Sequence, residues 1–196
     1  MSSSAHCLFE TAIGAVGIAW SDRGIVAVNL PEATPAATRR RLLARYPDLP
    51  EAEPPPAIRA VIDRIVALIA GEAVDLSDAP LDRGGLADFN ARVYDVALSI
   101  QPGETLTYGE VARRIGEPGA AQAVGQALGK NPWPIIVPCH RVLAAGGRTG
   151  GFSANGGVDT KLKLLTIERA RTTGAPTLFD DDPAFGLAAR PGTERR

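Results

Sequence analysis

The chain has 196 residues, 45% of them hydrophobic, and a formal net charge of -1, enough for one large or two small globular domains. No apolar run reaches the ~18 residues of a membrane span, and Met1 to His6 lack the charged-then-apolar pattern of a secretory signal. Cys7 and Cys139, the two cysteines, make no disulfide framework, so a reducing cytoplasm is expected.

Residues 7–20 alternate loosely and end in Ile18-Ala19-Trp20. Ser21 to Gly24 reads as a turn and Ile25 to Leu30 as a second strand, which together predict a hairpin. Thr34 to Tyr46 has helical spacing, with Leu42, Leu43 and Tyr46 as its apolar face. Arg39, Arg40 and Arg41 lie mostly outside that face and read as a solvated surface rather than a phosphate site. Glu53 to Pro56 breaks the chain. Ala57 to Ile69 is a helix with Ile58, Ile62, Ile65 and Ile69 on one stripe, and Gly71 suits its C-cap. Residues 72–87, with Pro80 and Gly84-Gly85, read as a linker.

Beyond that linker the texture turns helical. Phe89 to Ile100 is a helix with Phe89, Val93, Val96 and Ile100 inward, closed by Pro102-Gly103. Thr107 with Glu110 three residues on is a capping box, and it opens the helix Tyr108 to Ile115. Gly116 to Gly119 is a tight turn, and Ala120 to Leu128 is a second helix that stops at Gly129. Helix, glycine-bearing turn, helix is the helix-turn-helix layout. On the second helix Gln122, Gly125 and Gln126 share a face at i, i+3 and i+4, small and polar enough for a nucleic-acid backbone to approach, while Ala121, Val124 and Leu128 can face the core. Gly146-Gly147, Gly150-Gly151 and Gly156-Gly157 could cradle phosphate, but no Lys-Ser/Thr signature follows, so a nucleotide site is not expected. Thr160 to Ala170 is a last helix with Leu162, Leu165 and Ile167 apolar. Residues 172–196 have no clear periodicity and read as a disordered or loosely docked tail.

Charge is uneven along this order. Residues 1–87 carry 8 basic and 11 acidic side chains, and residues 88–172 carry 10 basic and 7 acidic. The second half is therefore the basic half, which modestly favours a phosphate-bearing partner.

The chemistry concentrates in residues 131–142, Asn-Pro-Trp-Pro-Ile-Ile-Val-Pro-Cys-His-Arg-Val. A thiol, Cys139, stands beside an imidazole, His140, at the end of the apolar stretch Ile135-Ile136-Val137, which Pro134 and Pro138 bracket and stiffen. A lone cysteine in an apolar run is most often core. A thiolate is the nucleophilic form, however, and a neighbouring His raises its fraction. Adjacent residues of one strand point to opposite faces, so the pair can cooperate only if the strand ends there, which Pro138 argues.

Pro138 to Val142, with Asn131-Pro132 upstream and Gly150-Gly151-Phe152-Ser153 downstream, closely resembles the O6-alkylguanine-DNA alkyltransferase family, the methylated-DNA–protein-cysteine methyltransferases. Phe89, Val93-Tyr94, Gly103 to Tyr108 and Ala123-Val124-Gly125 extend the likeness over residues 80–170, whereas the first 80 residues match only in size and layout. The resemblance implies an α+β fold: a small N-terminal α/β (RNase H-like) supporting domain over 1–80, a C-terminal, mostly helical winged helix-turn-helix domain over 81–172 that binds DNA and accepts the alkyl group, and a flexible tail over 173–196. It implies direct repair of double-stranded DNA containing O6-alkylguanine, with O4-alkylthymine as a second candidate, by single-turnover transfer to Cys139 after base flipping.

In the roles so implied, Cys139 is the nucleophile, His140 takes its proton and Glu168 holds the imidazole. Asn131 touches the thiol's surroundings, and Tyr108 donates toward guanine O6. DNA would meet Gln122, Ala121, Gly125, Gln126, Arg141 and Ser153, and the base pocket would be lined by Val142, Phe152 and Pro134. At the family's arginine finger this chain has Gln122, neutral and shorter. No cofactor is implied, and no metal: His6 and Cys7 are the N-terminal His and Cys, and a zinc site needs four ligands. A cytoplasmic, DNA-associated monomer is expected, with no membrane. The alternatives are a non-catalytic alkyl-lesion binding protein of the alkyltransferase-like type, which Gln122 would suit but which lacks the reactive Cys, and a cysteine hydrolase, for which no oxyanion-hole motif is present.

Overall fold

The computed structural model describes residues 4–147, 149 and 157–170. It is a mixed helix-and-sheet structure. Strands β1 (Ala5–Phe9), β2 (Val16–Ser21) and β3 (Gly24–Asn29) form an antiparallel sheet in the order β1-β2-β3. Cys7 faces Ile18 and Ile18 faces Val28, with a register shift at Ala19/Trp20. The stretch expected to be a single strand is thus two. Thr11 and Gly14 exchange backbone hydrogen bonds, and Gly14 takes a φ of +117°, which glycine adopts at no steric cost. The alternation of side chains runs on through this turn, which is why the sequence hides it.

Successive strand residues face opposite sides. Ala19 and Ala27 pack with Leu42 of α1 (Pro35–Leu43), whose N-cap Thr34 accepts from the Ala37 N–H. Ile18, Trp20, Ile25 and Val28 share the main core with α2 (Pro56–Ile69), where Ile58, Ile62, Ile65 and Ile69 are all buried as their spacing predicts. That core is one continuous cluster, running on through α3 (Asp88–Leu98), α4 (Tyr108–Arg114) and α5 (Ala121–Gly129) to Leu164 of α6 (Val158–Ile167).

The predicted linker is more ordered than expected. The Ile25 N–H donates to Pro80 O and the Asp82 N–H to Ile25 O, so residues 80–82 lie along the free edge of β3. An edge strand offers unpaired backbone groups, and this segment takes them. On α3 the fully inward residues are Val93, Tyr94 and Ala97, whereas Phe89 and Val96 are only half-buried. Tyr94 is admitted because its hydroxyl donates to Ala127 O at 2.8 Å.

The two consecutive helices form on either side of the glycine-bearing turn. Thr107 caps α4 with both halves of the capping box in place. α3, α4 and α5 pack on one another. Ala121 does not reach the core; Val124, Ala127 and Leu128 do. A two-residue parallel ladder joins β4 (Leu106–Thr107) to β5 (Val142–Leu143). On α6 the buried apolar residues are Leu164 and Leu165, while Leu162 and Ile167 are half-buried. The glycine pairs at 150–151 and 156–157 fall wholly or partly, and the expected tail wholly, outside the described residues. Among those described, no helix is long and apolar enough to cross a membrane.

Candidate active site

No strand carries the Cys139-His140 pair. Residues 131–138 form a buried loop instead. The Asn131 side chain closes it: Nδ2 donates to Val137 O at 2.8 Å, and Oδ1 accepts from the Trp133 N–H at 2.9 Å. Within it the Val137 N–H donates to Trp133 O. Pro138, at φ -80° and ψ 66°, is the centre of an inverse γ-turn, with the Cys139 N–H donating to Val137 O. The chain then enters a single 3-10 turn, Cys139–Arg141, so Cys139 and His140 no longer point to opposite faces. Ile135 adopts a φ of +76°, a left-handed conformation that a β-branched residue takes only under constraint.

Cys139 is 7% exposed and His140 fully buried. Burial pushes the Cys139 thiol up; a hydrogen bond from Asn131, the charge of Lys161 and the N–H groups of Cys139 and His140 pull the other way. The resting group is a thiol that needs a base. His140 is placed to be one. Burial lowers its basicity, which Glu168 opposes, and its Nε2 bonds Glu168 Oε1 at 2.9 Å. A carboxylate only accepts, so Nε2 carries the proton and Nδ1 keeps its lone pair. That Nδ1 is buried with no hydrogen-bond partner among the described residues. An orphaned buried acceptor is costly to keep and points to use.

Arg141 corrects an expectation. Proposed to face DNA, it is turned inward at 5% exposure. Its Nε donates to Glu168 Oε2 and its Nη2 to Glu168 Oε1, both at 2.8 Å, and its Nη1 donates to Ile100 O. A bidentate pair of this kind fixes the carboxylate in orientation as well as in charge. Burial would raise the Glu168 pKa, but the bonds from His140 and Arg141 win and hold it at about 2. Glu168, at the C-cap of α6, therefore stays anionic.

One residue escaped the sequence reading. Lys161 on α6 is completely buried. Its Nζ donates to Val142 O at 2.6 Å and lies 5.7 Å from the centre of the Tyr108 ring. Burial drags its pKa down to about 8, and Cys139 acts in the opposite sense. The ammonium thus stands close to the sulfur, where it favours the thiolate. Val142 has a buried side chain, and its carbonyl accepts from Lys161. Tyr108, first residue of α4, is half-buried, and its phenol is raised by burial and then by Cys139, so it remains a proton donor.

Gln122 and Gln126 are exposed on α5, and Ala121 and Gly125 are half-exposed beside them. Pro134 is half-buried in the loop. Phe152 and Ser153 lie outside the described residues. Among those described, no group of three or more His, Cys, Asp or Glu could hold a metal.

Residues 88–170 match the family described as 6-O-methylguanine DNA methyltransferase, DNA binding domain. The methylated-DNA–protein-cysteine methyltransferase of Mycobacterium tuberculosis is 47% identical over 126 residues, 64% of this chain and 74% of the relative. A DNA base-flipping protein of Thermus thermophilus is 41% identical over 139 residues, 71% and 91% of the two chains. The crystal structure of Mycobacterium tuberculosis OGT in complex with DNA superposes with a TM-score of 0.69 at 37% identity, covering 84% of this chain and 92% of that one.

Proposed function

The chain belongs to the methylated-DNA–protein-cysteine methyltransferase family of direct-reversal DNA repair proteins, and from that premise we propose that it clears O6-alkylguanine from duplex DNA by moving the alkyl group onto Cys139. The observation that carries this reading is the relay behind the sulfur: Asn131 on the thiol, His140 with a bare Nδ1, and Glu168 held anionic by Arg141.

In this mechanism the lesion leaves the stack and enters the site, since its alkyl carbon is out of reach inside a duplex. His140 Nδ1 takes the thiol proton, directly or through water, and Glu168 stabilises the imidazolium. The thiolate attacks the alkyl carbon, a C–S bond forms and the C–O6 bond breaks. The Tyr108 phenol gives its proton to the leaving guanine and is restored by the proton held on His140, so guanine returns to its normal form and the balance closes. A thiolate is a poor leaving group from the saturated carbon of a neutral thioether, so the alkyl group stays on Cys139 and each molecule acts once. O4-alkylthymine presents the same alkyl carbon on oxygen and is a second candidate.

The architecture that suits this chemistry is a supporting α/β domain of the RNase H-like kind over 1–80 and a winged helix-turn-helix domain over 81–172, acting as a cytoplasmic, DNA-associated monomer. α5 is laid against DNA through Gln122, Ala121, Gly125 and Gln126. The alternative, a lesion binder without chemistry, is not favoured, because the nucleophile and its base are both present.

Incubation with a duplex holding O6-methylguanine, followed by intact-mass measurement, tests the reading. A gain of one methyl per molecule, mapped to Cys139 and absent in Cys139→Ala, is expected. Lesion binding with no mass change, or a methyl on Cys7, would overturn it.

A further inference from the structure

A cleft of about 380 Å³ opens where the N-terminal sheet meets α3 and the end of α5. Arg23, Arg45 and Lys130 line it, with Asp82 as the one carboxylate in its wall. Asp82 is committed: it accepts from Ser21 Oγ and from Arg23 Nε and Nη2. Arg45 and Lys130 make no ion pair among the described residues, so the cleft keeps two uncompensated cations. The Arg45 guanidinium is close enough to Tyr94 to oppose the burial that lifts its phenol to about 12. A further feature favours an anion. Leu86 and Asn90 bring the start of α3 to the cleft, and that helix has Ala87 at its N-cap, with no side chain satisfying its first N–H groups. Asp88, the acid of that first turn, is not part of the lining.

The cleft is continuous with the face expected to meet DNA. Gln122, Gln126 and Lys130 are all exposed and recur every fourth residue along α5 and its C-cap. Eight residues of helix carry that stripe about 12 Å, or three to four base-pair steps along the axis of B-DNA. The first two side chains of the stripe are neutral, and the charge comes at its end.

We propose that this cleft binds backbone phosphates of the duplex flanking the lesion, through Lys130 from the helical half and Arg45, assisted by Arg23, from the N-terminal half. The proposal rests on the reading that α5 lies against DNA. It gives residues 1–80 a direct part in binding. Guanidinium groups suit phosphate oxygens by their fork of donors, and no sequence preference would follow, because a phosphate contact carries none.

The test compares the full chain with an Arg45→Ala/Lys130→Ala double variant and with Arg40→Ala, an exposed arginine of α1 outside the cleft. Binding to an O6-methylguanine duplex is measured across salt concentrations, with thermal melting to verify folding. Loss of two phosphate contacts should flatten the log–log salt slope by about 1.8 and weaken binding several-fold at low salt, while Arg40→Ala follows the parent. Trimming the duplex to three base pairs on each side of the lesion should erase the difference between parent and double variant. An unchanged slope in the folded double variant overturns the proposal. So does saturable binding of inorganic phosphate at the cleft with DNA binding unaltered, which would make it a small-anion site. Failure of the parent to accept an alkyl group from free O6-benzylguanine would instead sink the underlying repair reading, so the two failures are told apart.

Discussion

Two buried charges at the site titrate in directions that can be measured. Glu168 falls from 4.5 to about 2 in the fold. A depressed carboxyl contributes stability that is present above its unfolded pKa and lost as pH drops through the folded one, so the window is pH 4.5 to 2. A shift of that size corresponds to about 3 kcal/mol. Denaturant melts should therefore lose stability steeply across this window, and Glu168→Gln should flatten that stretch while being less stable at pH 7, where it leaves Arg141 buried without its anion. An equally steep loss in the variant would assign the acid sensitivity elsewhere. Lys161 should act on the sulfur. Removing its charge in Lys161→Met takes away a group that favours the thiolate, so the pH-rate profile for O6-benzylguanine should move to higher pH and the rate at neutral pH should fall; a profile that stays in place excludes the ammonium from the reaction. These roles were unevenly legible. Cys139, His140 and Asn131 sit in one dense motif. Arg141 was visible but misread, because an arginine in a DNA-binding segment suggests phosphate until Glu168 is seen against it. Lys161 was invisible, since a lysine on a terminal helix ordinarily faces water and its neighbour Lys163 has the same local pattern.

Among the elements, legibility followed the range of the interactions that make them. The Thr107–Glu110 capping box and the isoleucine stripe of α2 are local, and both formed as read. The Gly14 turn and the pairing of residues 80–82 with Ile25 depend on partners far along the chain or on a single φ angle, and both were missed. α5 permits a separation of stability from function. A Cβ on Gly125 would meet the Tyr108 ring at 3.8 Å, an ordinary contact, and Gly125 has no positive φ. Gly125→Ala should thus stabilise the helix by about 0.5–1 kcal/mol through backbone entropy. The same methyl lies on the face against which DNA is expected to close, so duplex affinity should drop as the melting temperature rises. Fluorescence anisotropy beside a melt checks both at once, and a variant that is more stable and binds equally well would move the DNA face off Gly125.

At the scale of the whole molecule, the N-terminal sheet holds the loop that leads into Cys139. Trp133 Nε1 donates to Ile25 O at 2.7 Å, Pro132 O accepts from the Val28 N–H at 2.8 Å, and both acceptor and donor lie on β3. The Trp133 ring also meets Tyr94 edge-on, with centroids 6.0 Å apart. Two residues further on, Ile135 stands at positive φ, a conformation that costs an L-residue about 1–2 kcal/mol and persists only where the surroundings enforce it. The sheet, α3 and the loop are therefore tied together through Trp133 and Pro132. Trp133→Phe keeps an aromatic ring but removes the indole N–H; Ile25 O keeps the Asp82 N–H, so the cost is that of one lost hydrogen bond, about 0.5–1.5 kcal/mol, or roughly 2–4 °C of melting temperature for each kcal/mol in a chain of this size. If the anchor sets the aim of Asn131 and Cys139, the variant should also react more slowly with free O6-benzylguanine, a substrate that needs no DNA contact at all. A lower melting temperature with an unchanged free-base rate would show that the loop keeps its geometry without the sheet, and that the N-terminal half serves stability alone.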